Sequence, residues 1–292
     1  MINLYGTGVA MVTPFHKDGS IDYPALKKLT RHLIDNRIEY LVVMGTTGET
    51  ATLSYQEKRQ VFDTVLEENA GKIPVVAGIG GNHTLEITDT LKSFNFDGIS
   101  AVLSVSPYYN KPNQTGIRTH YTAVADASPL PVILYNVPGR TGSNMTAETT
   151  LNLAEHKNII AMKEASGNFE QCMEILRNRP ADFFVLSGDD ALTLAFLSLG
   201  MDGVISVMAN AYPRNFSEMV RMGLGGNFKA GRELHYALLP MMLEIFADGS
   251  PGGIKELLKH LGICETGVRL PLANVSETVK GRLLEMAGVY EK

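Results

Sequence analysis

The chain has 292 residues, 45% of them hydrophobic and 20% charged, enough to bury a large core and close to the roughly 250 residues of one barrel domain. Its formal net charge of -5 is spread along the chain with no basic block able to track phosphates, so nucleic acid is not an expected partner. No stretch reaches the about 20 consecutive apolar residues of a membrane helix, and the opening MINLYGTGVAMVTPF has neither a cationic segment before an apolar core nor a small-residue cleavage site, so a cytoplasmic, membrane-free protein is expected. Cys172 and Cys264 lie far apart without CxxC or Cys/His spacing, which argues against a disulfide framework and a structural zinc.

In chain order, eight short runs rich in Val and Ile follow one another: GVAMVTPF, YLVVMG, IPVVAGIG, ISAVLSVSP, LPVILYNVP, IIAMKEAS, FFVLSGDD and DGVISVMAN. Each has the length of a strand that is apolar on both faces, and amphipathic stretches such as YPALKKLTRHLIDN, SYQEKRQVFDTVLEENA and TLEITDTLKSFNF fill most of the gaps. This alternation predicts a parallel sheet. With eight units and no GxGxxG after the first strand, it predicts a closed (β/α)8 barrel over residues 1–211. From Tyr212 onward only helical patterns remain (PRNFSEMVRMGLGG, ALLPMMLEIFADG, GIKELLKHLGI, SETVKGRLLEMAGV), which predicts an all-α domain over 212–292.

Reactive residues of such barrels sit at the C-terminal ends of strands, where the βα loops converge on one mouth. Lys163 ends the buried run Ile159-Ile160-Ala161-Met162. An amine in an apolar mouth loses hydration, which favours its neutral, nucleophilic form, and a ketone carbonyl is its natural electrophile. Pairing with Glu164 or reaching out to solvent is the alternative. Tyr135 ends the preceding run and is the candidate proton carrier for Schiff-base chemistry, or else an aromatic plug. Gly45-Thr46-Thr47-Gly48-Glu49 offers hydroxyls and backbone amides as a carboxylate nest, or is a plain turn. Arg140, in Pro138-Gly139-Arg140-Thr141-Gly142, carries a fork that fits a carboxylate, or is a solvated loop arginine. Tyr108-Tyr109 is more aromatic than a water-exposed loop requires, and burial against another subunit would explain it. The seventh run ends in Gly188-Asp189-Asp190, whose carboxylates would repel a phosphate. The two aspartates are expected to point apart, and none of the seven histidines falls at a strand end or in ligand spacing, so neither a metal nor any cofactor is expected.

The motifs Gly45-Thr46-Thr47-Gly48-Glu49, Pro107-Tyr108-Tyr109-Asn110-Lys111-Pro112, Tyr135-Asn136-Val137-Pro138-Gly139-Arg140-Thr141 and Lys163-Glu164-Ala165-Ser166-Gly167 resemble the 4-hydroxy-tetrahydrodipicolinate synthase family, and the resemblance extends over essentially the whole chain. The first and the last two are shared in looser form with the wider N-acetylneuraminate lyase superfamily. Arg140 is what discriminates, since the sialate lyase branch lacks an arginine there and usually has Ser-Thr where this chain has Thr46-Thr47.

The resemblance implies that Lys163 forms an imine with pyruvate, whose carboxylate the Thr46 and Thr47 region holds, and that the enamine attacks the aldehyde of L-aspartate 4-semialdehyde. It also implies a proton relay of Tyr135, Thr47 and Tyr109, with Tyr109 donated across a dimer interface. Arg140 would gather the aldehyde's carboxylate, and Gly188 and Ile205 would line the pocket through their backbone. A homotetramer built as a dimer of dimers is implied as well. Thr50, Ala51, Asn82, Glu86 and Tyr108 fit the lysine-inhibition cleft of the family, but Tyr55 and Lys58 stand where sensitive bacterial enzymes often have histidines. A cation at 58 disfavours a second cation by about 1 kcal/mol or more at partial burial, so weak or absent lysine inhibition is expected. A related aldolase or dehydratase acting on a sugar-derived keto acid, and a non-catalytic keto-acid-binding protein, are the competing readings.

Overall fold

The computed structural model describes residues 2–291. All eight apolar runs form parallel strands, which close in sequence order into a barrel: β1 (Gly6–Ala10), β2 (Tyr40–Val43), β3 (Val75–Gly78), β4 (Ala101–Val105), β5 (Val132–Asn136), β6 (Ile159–Glu164), β7 (Phe184–Ser187) and β8 (Gly203–Ser206). Between them run α1 (Tyr23–Asp35), α2 (Tyr55–Asn69), α3 (Thr84–Ser93), α4 (Gln114–Ala127), the single turn α5 (Pro138–Thr141), α6 (Ala147–Ala154), α7 (Phe169–Asn178) and α8 (Thr193–Ser198). The helices start where local chemistry dictates. Asp22 caps α1 ahead of Pro24 at its first turn, and Ser54 with Glu57 forms a capping box on α2, so each satisfies backbone N–H groups that no preceding turn can.

Side-chain alternation along the strands separates two apolar layers. Val9, Leu41, Val43, Val75, Val102, Val132, Leu134, Met162 and Val185 face the helices. Ala10, Tyr40, Val42, Val76, Leu103, Ile133, Ala161, Leu186 and Ile205 fill the barrel interior. After β8, α9 (Pro213–Leu224) packs against β1 and β8. It is followed by α10 (Phe228–Glu244), α11 (Gly252–His260) and α12 (Glu277–Tyr290), which pack on one another and on α8 and α9. Among the described residues no helix is long and apolar enough to cross a membrane.

The seam between β8 and β1 closes the barrel, and Gly203 is paired there with Gly6. A Cβ on Gly203 would stand 2.1 Å from the Gly6 carbonyl oxygen, so only a residue without a side chain lets these strands meet. Gly203→Ala is expected to force the seam apart and to destabilise the protein by about 1–3 kcal/mol or more. A lowered urea midpoint checks this, and an unchanged midpoint contradicts it.

Candidate active site

β5 and β6 pair with Tyr135 directly opposite Lys163 and Asn136 opposite Glu164. Two-residue alternation therefore aims Tyr135 and Lys163 into the barrel mouth and turns their neighbours outward. The Lys163 ammonium lies 4.5 Å from the centre of the Tyr135 ring, and the two residues are 5% and 7% exposed. Glu164 is not a partner for Lys163. It is fully buried on the opposite face, where it accepts hydrogen bonds from Asn136 Nδ2 (3.0 Å), Gln171 Nε2 (3.0 Å) and the Ser166 backbone N–H (2.6 Å). Asn144 extends this network by donating to Gln171 and accepting from Asn136. On the other flank, a Cβ at Gly188 would fall 2.7 Å from Ala165 Cβ and 3.0 Å from Lys163 Cε, so the lysine stem occupies the space a side chain would take.

The mouth holds a cavity of about 480 Å³ lined by Thr46, Thr47, Tyr135, Arg140, Lys163, Gly188, Asp189 and Asp190 together with apolar side chains. Thr46–Gly48 forms one 3-10 turn between Gly45 and Glu49, tied down by Thr13, whose hydroxyl donates to the Gly48 carbonyl at 2.7 Å. Thr47 is buried and Thr46 exposed. Arg140, on the single turn that Pro138 starts, is exposed at the rim. Two expected residues lie elsewhere. Ile205 is in the interior layer of β8 and does not line the cavity. Tyr109 is 88% exposed, with a left-handed backbone at φ 73°, and is likewise outside the cavity within one chain.

A second cavity of about 690 Å³ adjoins the first and shares Thr46, Thr50 and Arg140 with it. Thr50, Ala51, Tyr55, Lys58, Asn82, Glu86 and Tyr108 all line it. Burial pulls the Lys58 ammonium below the usual lysine range.

Sequence reasoning missed two contributions. Met242, Leu243 and Phe246 of the helical segment overhang the catalytic cavity. No strand-end rule points to them, because they reach the mouth from across the molecule. Asp190, read from sequence only as a charge hostile to phosphate, is 3% exposed. Its Oδ2 accepts from the backbone N–H groups of Val207 (3.0 Å) and Met208 (2.7 Å), holding the turn after β8. Asp189 points away from it, accepting from Leu192 N–H at 3.2 Å.

With this geometry in view, comparison with known proteins is decisive. The model of the dihydrodipicolinate synthetase family matches residues 3–287. The 4-hydroxy-tetrahydrodipicolinate synthase of Flavobacterium psychrophilum is 53% identical over 279 residues, 95% of each chain. Two solved structures superpose over nearly everything. The chloride-inhibited dihydrodipicolinate synthase of Acinetobacter baumannii complexed with pyruvate has a TM-score of 0.96 at 36% identity, covering 99% of both chains. The Cyanidioschyzon merolae enzyme with lysine bound has a TM-score of 0.95 at 39% identity, covering 100% of this chain and 99% of that one. The fold and the lysine at its mouth define a barrel lyase of the Schiff-base type. The chain belongs to the dihydrodipicolinate synthetase family.

Burial pushes the Asp190 carboxyl up to about 6, against the pull of the Met208 and Val207 N–H groups. A carboxyl whose folded pKa is raised stabilises the protein below its unfolded pKa, and that contribution is lost as pH rises through the folded value. Relative to Asp190→Asn, the stability of the unaltered protein should fall between about pH 4 and pH 6, by on the order of 3 kcal/mol. Urea titrations across that window check this, and parallel pH profiles for the two proteins would contradict it.

Proposed function

We propose that this chain is a 4-hydroxy-tetrahydrodipicolinate synthase, condensing pyruvate with L-aspartate 4-semialdehyde through a Schiff base on Lys163, in the route to lysine and diaminopimelate. The carrying observation is one buried amine, turned inward opposite Tyr135 at 4.5 Å, in a cavity that also holds the threonine turn and Arg140. A relative's name gives the synthase activity and a solved relative holds pyruvate; the semialdehyde is this reading's own assignment.

Lys163 Nζ attacks the ketone carbon of pyruvate, and the resulting carbinolamine loses water to give the iminium. Loss of a methyl proton gives the enamine, whose carbon bonds to the aldehyde carbon of the second substrate. The amino group of that substrate then attacks the imine carbon, closing the ring and releasing Lys163. Tyr135 and Thr47 carry protons between these steps, and the hydroxyls and amides of Thr46 and Thr47 hold the pyruvate carboxylate. Arg140 at the rim takes the carboxylate of the semialdehyde. Tyr109, almost fully exposed on its own chain, joins the relay from a second copy. The working assembly in this reading is a tetramer of paired dimers in the cytoplasm. The second cavity is an effector cleft, as the lysine-bound relative suggests, but Lys58 makes it a poor host for a cationic ligand.

In a coupled assay with both substrates, Lys163→Ala is expected to abolish turnover, and borohydride with pyruvate should label the unaltered protein on Lys163 alone. Arg140→Ala is expected to keep the pyruvate adduct while weakening use of the semialdehyde by about 10- to 100-fold, the worth of a charge-assisted hydrogen bond. A label on another residue would sink this reading. Free lysine should inhibit weakly or not at all, and Lys58→Met should strengthen that inhibition by about 5-fold for ~1 kcal/mol of relieved repulsion. A micromolar inhibition constant for the unaltered enzyme would refute it.

A further inference from the structure

Glu49 closes the threonine turn with a left-handed backbone at φ 54°, a conformation that a glycine would adopt with less strain. A glutamate held there needs its side chain anchored, and the anchor comes from the far end of the chain. Lys255 of α11 donates from Nζ to Glu49 Oε1 at 2.6 Å and to the Gly267 carbonyl at 2.7 Å. The Arg269 backbone N–H donates to Glu49 Oε2 at 3.0 Å. Both side chains of the Lys255–Glu49 pair are 0% exposed, and the ammonium lies 4.5 Å from the centre of the Phe15 ring. The Arg269 guanidinium lies 4.7 Å from the centre of the same ring. It also bonds the Thr52 carbonyl (2.9 Å) and Glu57 (3.0 Å), so the segment following the threonines is gripped on both sides.

We propose that Lys255 is a positioning residue for the substrate-binding turn, acting through Glu49 to fix Thr46 and Thr47. The proposal rests on the reading of those threonines as the pyruvate carboxylate site. Lys255 does not line the catalytic cavity, so it acts only through the turn. The route is short. Glu49 N–H donates to the Thr46 carbonyl at 3.1 Å and Gly48 N–H to the Gly45 carbonyl at 3.1 Å, so a rotation at Glu49 re-aims both threonine hydroxyls and the intervening amides. A fully buried ion pair is a poor device for stability alone, since apolar replacements are often as stable or more so. Its placement beside a residue with a left-handed backbone next to the cavity fits a geometric role better than a stabilising one.

That difference supplies the test. Four proteins are compared for thermal midpoint, for steady-state kinetics and for the pyruvate concentration that half-saturates borohydride trapping on Lys163: the unaltered enzyme, Lys255→Met, the neutral double variant Glu49→Gln/Lys255→Met, and Lys255→Arg, which keeps the charge and changes its geometry. The single Met variant strands a buried carboxylate and is expected to lose the most stability. The double variant should recover most of the midpoint, yet show a half-saturation raised by about 10-fold with kcat at saturation changed by less than about threefold. Lys255→Arg, which keeps the pair and therefore the fold, should show the same split by about 3-fold. A half-saturation equal to that of the unaltered enzyme in either of these two variants would overturn the proposal and leave the pair with a structural role only. Absence of any pyruvate adduct in the unaltered enzyme would instead overturn the Schiff-base reading beneath it, a separate result.

Discussion

The pairing of β5 with β6 is the contact on which the site depends. Opposing Tyr135 to Lys163 and Asn136 to Glu164 means that one choice of register decides which ionisable group meets the cavity. A slip by one residue would exchange the faces, placing a carboxylate at the mouth and an ammonium among the helices. The outward face makes that exchange costly. Glu164 is fully buried and takes three donors from Asn136, Gln171 and Ser166, none of which has an acceptor to offer an ammonium in the same geometry without rearrangement. The polar network behind the strand thus holds Lys163 in front of it.

Around that amine the barrel supplies rigidity and the loops supply chemistry. The apolar interior rises to Tyr135 and Leu186, and above it three βα connections supply polar groups: the threonine turn after β2, Arg140 after β5, and Gly188 with Asp190 after β7. Asp190 links the β7 loop to the turn after β8 by accepting from Val207 and Met208. The helical segment is part of the same machine and not an appendage. Met242, Leu243 and Phe246 line the mouth with apolar side chains.

The two cavities share a wall, and residues of that wall serve both. Thr46 and Thr50 on one side and Arg140 on the other line each of them, so a ligand in the second touches the same turn and the same guanidinium that face the first. The 3-10 turn in that shared wall ends at Glu49, whose backbone is left-handed. Lys58 and Arg140 line the second cavity together with the carboxylates of Glu49 and Glu86.

By itself the sequence determined the barrel and most of its mouth, because those signals are local. Eight short apolar runs separated by amphipathic stretches state the strand count, and the strand-end rule then brings Lys163, Tyr135, Thr46, Thr47, Arg140 and Gly188 to one cavity without any knowledge of long-range contacts. Thr50, Ala51, Tyr55, Lys58, Asn82, Glu86 and Tyr108 were grouped into one cleft only through family resemblance, since no period or spacing joins positions 50 to 58 with 82, 86 and 108. Tertiary structure alone decided the rest. It turned Glu164 away from Lys163, packed Ile205 in the barrel interior and left Tyr109 in solvent on its own chain. It also brought Lys255 to Glu49 across 206 residues. Those are outcomes of packing between distant segments, and burial of an ion pair or the direction of a loop tyrosine is settled by what surrounds it, which a local pattern of residues does not encode.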